Sequence, residues 1–246
     1  MDAKDIAMAR PLIAIHSCDL DSWNGRYEAI LGTWGIPAME YADVLFFKGR
    51  GPARSSEIVL DCFDGNGDLI EKEQAMFRWI INNTDNERIL KTETDVWFNV
   101  KKLFAAPHED ADVIGRLVGH KFGETYADSS FYCFIQGHAM WYSRKAMKLV
   151  ADNLEDFYAA KRPNSHWRQN TLDPSRRAAD LWGSQILTNA WLRGEITMRD
   201  ELGFADGPLS YHFQGDSKHL TPEWMRAMDT DEAARRDWEG WKRYGI

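Results

Sequence analysis

The stretch Glu87-Arg88-Ile89-Leu90-Lys91-Thr92-Glu93-Thr94-Asp95-Val96-Trp97-Phe98-Asn99-Val100 decides the fold. Its apolar run with an acidic cluster reads as a buried strand that ends at a site. In extended backbone, residues i and i+2 face the same way, so Glu93 and Asp95 are expected to present their carboxylates together. Like charges so close repel unless a proton or cation lies between them. A hard divalent ion that prefers oxygen ligands, Mn2+ or Mg2+, suits such a pair. The competing interpretation is a solvated strand end with two unrelated acids.

Outward from this stretch, strands and helices alternate. Pro11–Cys18 reads as a first buried strand. A helix is expected from Trp23 to about Leu31, capped by Asp21-Ser22 and stopped by Gly32 and Gly35. Ala42–Phe47 and Glu57–Cys62 read as further strands, the latter followed by a Gly-Asn-Gly turn at 65–67. Leu69, Met76, Phe77, Ile80 and Ile81 mark an amphipathic helix from Asp68 to about Asn82. Beyond the central stretch come a strand at Phe131–Ile135, a helix from Ser143 to about Asn153, and a helix from Ala179 to about Leu192. The segment 160–178, with Arg162, Arg168, Arg176 and Arg177, reads as a loop over the site, and the tail from Glu223 as helical. This alternation predicts an α/β protein whose mostly parallel sheet is flanked by helices, with ligands beyond the carboxyl ends of the strands.

The 246 residues suit one domain, with 44% hydrophobic residues to supply a core. The net charge of −8 argues against unaided binding to nucleic acid, although the four arginines at 162–177 form a local basic patch. Cys18, Cys62 and Cys133 have neither metal-site spacing nor disulfide density and read as reduced, buried thiols. No signal peptide or membrane span is apparent, so a cytoplasmic location is expected. P-loop, dinucleotide-glycine and zinc signatures are missing.

A second chemical stretch is Ser210-Tyr211-His212-Phe213-Gln214-Gly215-Asp216-Ser217-Lys218-His219. A neutral imidazole at His212 can complete a cation's shell beside two carboxylates. Lys218 can neutralise a diphosphate, and Gly215 lets backbone approach it. By itself the segment also fits a surface loop with a His and a Lys. Together with Glu93 and Asp95 it describes an ion that activates a nucleoside-diphosphate leaving group.

The order of these pieces resembles the beta-1,3-glycosyltransferase family that includes Fringe and the beta-1,3-galactosyl- and N-acetylglucosaminyltransferases, which has the GT-A (Rossmann-like) fold. Arg26, Ala29, Ile30, Thr33 and Trp34 match its entry motif, with Leu31 in place of a second arginine. Asp61, Phe63, Asp64, Leu69 and Lys72 follow a degraded acidic-aromatic motif. Lys91-Thr92-Glu93-Thr94-Asp95-Val96 stands for the family's Lys-Thr-Asp-Asp-Asp-Val. Ile114-Gly115 and Gly137 to Ser143 resemble two further motifs. Ala179-Asp180-Leu181-Trp182-Gly183 resembles Glu-Asp-x-x-x-Gly with its first acid missing and the spacing one shorter. The run from His212 to Lys218 is also similar to glycogenin-type GT-A enzymes, which retain anomeric configuration where the first family inverts it.

The resemblance implies one GT-A-like domain over 1–246, with a donor-binding half at about 10–105, an acceptor half at about 106–220 and a helical tail at 221–246. It implies sugar transfer from a UDP-sugar to the hydroxyl of a glycan, a protein or a modified DNA base; because no membrane anchor is seen, a bacterial or viral enzyme is expected rather than a secretory-pathway one. Asp180 would be the catalytic base. Arg26, Lys72, Glu93, Gly215 and Lys218 would hold the donor, and Glu93, Asp95 and His212 the Mn2+ or Mg2+ ion. Trp141, Trp182 and His138 flank these motifs as sugar-stacking or acceptor-site side chains, or as core residues. A non-catalytic carbohydrate-binding protein and a nucleotide-sugar hydrolase are the competing functions. The first predicts binding without turnover, the second sugar release independent of an acceptor.

Overall fold

The computed structural model describes residues 10–19, 25–64, 69–120, 132–161, 179–201, 204, 209–212 and 221–230. Its centre is a seven-stranded sheet built from β1 (Leu12–His16), β2 (Asp43–Lys48), β3 (Glu57–Val59), β4 (Arg88–Glu93), β6 (Val113–His120), β7 (Tyr132–Ser143) and β8 (Met198–Asp200). The strand order is β3-β2-β1-β4-β7-β6-β8. β1 pairs in parallel with β2 and β4, β2 with β3, and β6 with β8, while β7 runs antiparallel between β4 and β6. A second, two-stranded ribbon pairs β5 (Val96–Phe98) with β9 (Ser210–His212).

The sheet is central because its middle strands are apolar without interruption. All five residues of β1 are buried, as expected of a parallel strand covered on both faces. Alternation along β1 splits the core in two. Ile13 and Ile15 pack with Trp34, Phe98 and Trp141 beneath α1 (Arg26–Ile30), α2 (Ile36–Ala38), α4 (Val100–Ala105) and α7 (Thr221–Thr230). Leu12 and Ala14 pack on the opposite face with Phe77, Met147 and Leu187, which come from α3 (Leu69–Asn83), α5 (Arg144–Lys161) and α6 (Ala179–Leu192).

Several expected boundaries shift, each for a physical reason. The helix expected to stop at Gly32 continues from α1 through a π-helical turn, Leu31–Gly35, into α2. Burial of Thr33 and Trp34 outweighs the low helix propensity of the two glycines. Gly35 is needed there, because a Cβ would lie 2.9 Å from the Ile30 carbonyl oxygen. The stretch 87–100 is two strands rather than one, broken by a turn at Thr94-Asp95 and followed by α4. Asn99 caps α4 by accepting from the Lys102 N–H at 3.3 Å. β3 ends at Val59 rather than Cys62, and α5 runs on to Lys161. α6 spans Ala179–Leu192 as expected. The caps at Asp21-Ser22, the turn at 65–67, the arginine segment 162–178 and the tail beyond Thr230 lie outside the described residues.

Candidate functional site

Strand order reverses between β1 and β4: the chain lays β2 and β3 to one side of β1 and returns to place β4 on the other. That is the switch point where open α/β sheets form a crevice beyond their carboxyl ends. In register, His16 at the end of β1 lies between Phe47 of β2 and Glu93 of β4. Of the candidate residues, Arg26, Lys72, Glu93 and Asp95 have described side chains, and each contacts or borders this edge.

The acids do not share one extended face, because the turn at Thr94-Asp95 interrupts the alternation after Glu93. Each carboxylate has a buried cation nearby. Asp95 Oδ2 lies 3.9 Å from Arg26 Nη1, with both side chains at most 3% exposed. Glu93 Oε1 lies 3.9 Å from Lys91 Nζ, and the Glu93 side chain is one-third exposed. Lys91 sits inside the central strand at 2% exposure because it is satisfied there. It donates to the Gly137 carbonyl at 2.8 Å and lies 3.3 Å from the buried Glu73 carboxylate of α3. Thr92 Oγ1 donates to the His138 carbonyl at 2.7 Å, which fastens β4 to β7 beside the same edge.

The β5–β9 ribbon brings in His212. Its register sets His212 opposite Val96, one residue past Asp95. The backbone of residue 212 is thus brought beside the Thr94-Asp95 turn although more than a hundred positions separate the two in the chain. Trp34 steadies this turn from the helical side: its indole N–H donates to the Val96 carbonyl at 2.9 Å, and its ring packs edge-on against Phe98. Gly215 and Lys218 lie outside the described residues, as do the side chains of His212, Asp180 and Trp182. Residue 180 stands in the first turn of α6, four positions before Ser184, whose Oγ accepts from the Ile135 N–H at 3.0 Å on β7. Gly183 lies against Glu73, since a Cβ there would come within 3.6 Å of its Oε1. The amino end of α6 is therefore next to the Glu73–Lys91 pair.

Lys72 is 3% exposed and is committed to protein partners: it donates to the Ser17 carbonyl and, at 2.8 Å, to Asp64 Oδ1. Arg26 is likewise buried, against Asp95. Trp141 is a core residue at 2% exposure, stacked on His108 with centroids 4.7 Å apart, and His138 is buried at 3%. Cys18 and Cys62 are buried and unbridged, as expected.

A polar network at the ends of β1, β2 and β3 was not singled out by sequence reasoning as a site element. Asp64 accepts from the backbone N–H groups of Gly49 at 2.6 Å and Asp19 at 2.8 Å, in addition to Lys72. Burial works upward on its pKa. The bonds from Lys72 and from the two backbone groups outweigh that and hold the carboxyl below its ordinary value. Lys48 pairs with Asp19 and donates to the Pro52 carbonyl at 2.7 Å. Ser17 Oγ donates to the buried Glu57 carboxylate at 3.3 Å. Residues 17–19 at the mouth of the crevice are thus tied to the end of β2, to Glu57 at the start of β3, to Asp64 and to Lys72 of α3. Asp64 and Lys72, both within the degraded motif, were the signals for this cluster in the sequence. His16, beneath it, is held well below its usual pKa by burial and then by Lys91 and Lys72, so its ring is neutral at pH 7.

No protein-family model matches the sequence, and no curated protein is significantly similar to it. Solved structures are similar in fold. A glycosyltransferase involved in the glycosylation of the major capsid of PBCV-1 superposes with a TM-score of 0.50 at 11% identity, over 89% of this chain and 99% of that one. The galactosyltransferase LgtC, in complex with donor and acceptor sugar analogues, superposes with a TM-score of 0.50 at 12% identity, over 93% of this chain and 94% of that one. With its mixed, mostly parallel seven-stranded sheet flanked by helices, the chain has the GT-A glycosyltransferase fold.

Proposed function

We propose that this protein is a metal-dependent glycosyltransferase that moves a sugar from a UDP-sugar to an acceptor hydroxyl. The observation that carries the proposal is the β5–β9 register, which sets His212 opposite Val96 beside the Glu93–Asp95 turn at the switch point of the sheet. Two carboxylates and an imidazole form a hard-to-borderline donor set that fits Mn2+ or Mg2+. Glu93, Asp95 and His212 are the residues that would hold the ion. When bound, it supplies positive charge against the diphosphate and eases departure of UDP.

The chain's own groups do the rest. Lys218 adds positive charge beside the diphosphate, and Gly215 allows close backbone approach. Residues 17–19, held by Asp64, Lys72 and Glu57, give the nucleoside end of the donor a preformed wall. Asp180 takes the proton from the acceptor hydroxyl as its oxygen bonds to the anomeric carbon and the carbon–diphosphate bond breaks. That assignment makes the reaction inverting, in line with the beta-1,3-glycosyltransferase resemblance. The acceptor classes are a glycan, a protein or a hydroxylated nucleobase.

Calorimetric titration of UDP with Mn2+ and again with EDTA tests this function. The expected result is binding with Mn2+ that is lost with EDTA and in Glu93→Ala and His212→Ala. UDP binding in neither condition overturns the donor assignment. Hydrolysis of a UDP-sugar at the same rate with and without acceptors would reassign the site to a hydrolase.

A further inference from the structure

Both carboxylates assigned above to a cation already have one of the protein's own. Asp95 has Arg26 from α1, and Glu93 has Lys91 from within β4, each at 3.9 Å. Neither cation is a surface side chain that happens to reach inward: Arg26 is 1% exposed and Lys91 2%. Arg26 faces Asp95, and Lys91 lies between Glu73 and Glu93. Lys91 is shared with Glu73 at 3.3 Å and anchored on the Gly137 carbonyl at 2.8 Å. Arg26 enters on a helix whose amino end is fixed by Gly25 in the left-handed region, against Pro222 of α7. At 3.9 Å each of these contacts is longer than a hydrogen bond, so its effect is coulombic.

We infer that Arg26 and Lys91 are resident counter-ions of the Asp95–Glu93 site: they keep its two carboxylates in place with no metal bound, and an incoming divalent cation must compete with them. The inference rests on the metal assignment above but concerns different residues. Among the described residues, Glu73, Glu93 and Asp95 each lie within 3.9 Å of one of two buried cations, Lys91 and Arg26. A buried carboxylate stripped of its partner is costly, and this arrangement prevents that. The same two positive charges oppose a dication over a few ångströms of low-dielectric interior, which lowers the site's affinity for it. Arg26 is in this account a positioning residue rather than a ligand of the donor.

The test uses the full-length protein with Mn2+ alone as probe. Melting temperatures in EDTA and calorimetric Mn2+ affinities are measured for wild type, Arg26→Gln, Arg26→Lys and the double variant Arg26→Gln/Asp95→Asn. In EDTA, Arg26→Gln is expected to melt about 5 °C or more below wild type, and the double variant, in which no buried charge of the pair remains, to recover at least half of that loss. With Mn2+, Arg26→Gln is expected to bind about tenfold or more tightly than wild type and to regain stability, while Arg26→Lys tracks wild type in both measurements. A merely structural arginine predicts lost stability with unchanged Mn2+ affinity, and that result overturns the inference. A double variant no more stable than Arg26→Gln overturns it as well. If Arg26→Gln alone does not fold in EDTA, folding of the double variant supports the inference and its failure to fold opposes it. Mn2+ inert towards all four proteins, with the double variant still recovering stability, removes the metal assignment and leaves the counter-ion pairing supported.

Discussion

Gly49 shows how little slack single residues have at the crevice. A Cβ at this position would lie 2.6 Å from the backbone Cα and N of Asp64, so the end of β2 and the 61–64 segment touch backbone to backbone. Gly49→Ala is expected to destabilise the fold by about 2–4 kcal/mol, because neither backbone can yield without breaking the bond from Gly49 N–H to Asp64; urea denaturation measures it. Asp64 gives a prediction in pH. Its folded pKa is depressed, so the stability it contributes is complete above about pH 4, the unfolded value, and is lost as pH falls through the folded value. Asp64→Asn should be less stable than wild type at pH 7, and the gap should narrow as pH falls below 4. A gap that stays constant down to pH 3 would show that the carboxylate's charge is not what matters. Asp64 was visible in the sequence only as a remnant of a motif. Its importance comes from partners at positions 19, 49 and 72, which adjacency in the chain does not reveal.

At the scale of elements, the helix-to-turn contact through Trp34 is the most exposed to test. The Trp34 N–H is a partner of the Val96 carbonyl, at the start of the β5 strand that pairs with His212. Trp34→Phe keeps most of the apolar area but leaves that buried carbonyl without this donor, a cost of about 1–3 kcal/mol. The expected result is a lower melting temperature together with weaker UDP binding in Mn2+. Weakened stability with unchanged UDP affinity would separate the helix from the site. Elements were legible where the apolar pattern was strong, as in β1, α3 and α6. The Thr94-Asp95 turn was not, because it contains neither Gly, Pro nor Asn, and Val96-Trp97-Phe98 resume the strand-forming pattern directly after it. β6 was missed because Gly115, Arg116, Gly119 and His120 dilute its pattern, and β8 and β9 are only three residues long. The helical path through Gly32 and Gly35 is a tertiary decision: Trp34 buries at 1% exposure and outweighs local propensity.

For the molecule as a whole, the sheet predicts an order of protection. β1 and β4 are paired on both sides and buried on both faces, whereas β3 and β8 are edges of three residues each. Amide hydrogen exchange should be slowest in β1 and β4 and fastest among the strands at β3 and β8. Rapid exchange in β4 under native conditions would contradict its central place. The α/β class could be read from the alternation of patterns, since periodicity reports burial. The antiparallel β7 between two parallel neighbours could not, because strand direction is set by connections rather than by composition.

The β5–β9 ribbon has a further consequence for the living chain. Val96 leaves the ribosome long before Ser210–His212 do, so β4 and its turn can reach the folded sheet while their partner strand is not yet made. The ribbon must wait through the synthesis of more than a hundred residues, and until then the turn after β4 is held from its helical side, by Trp34.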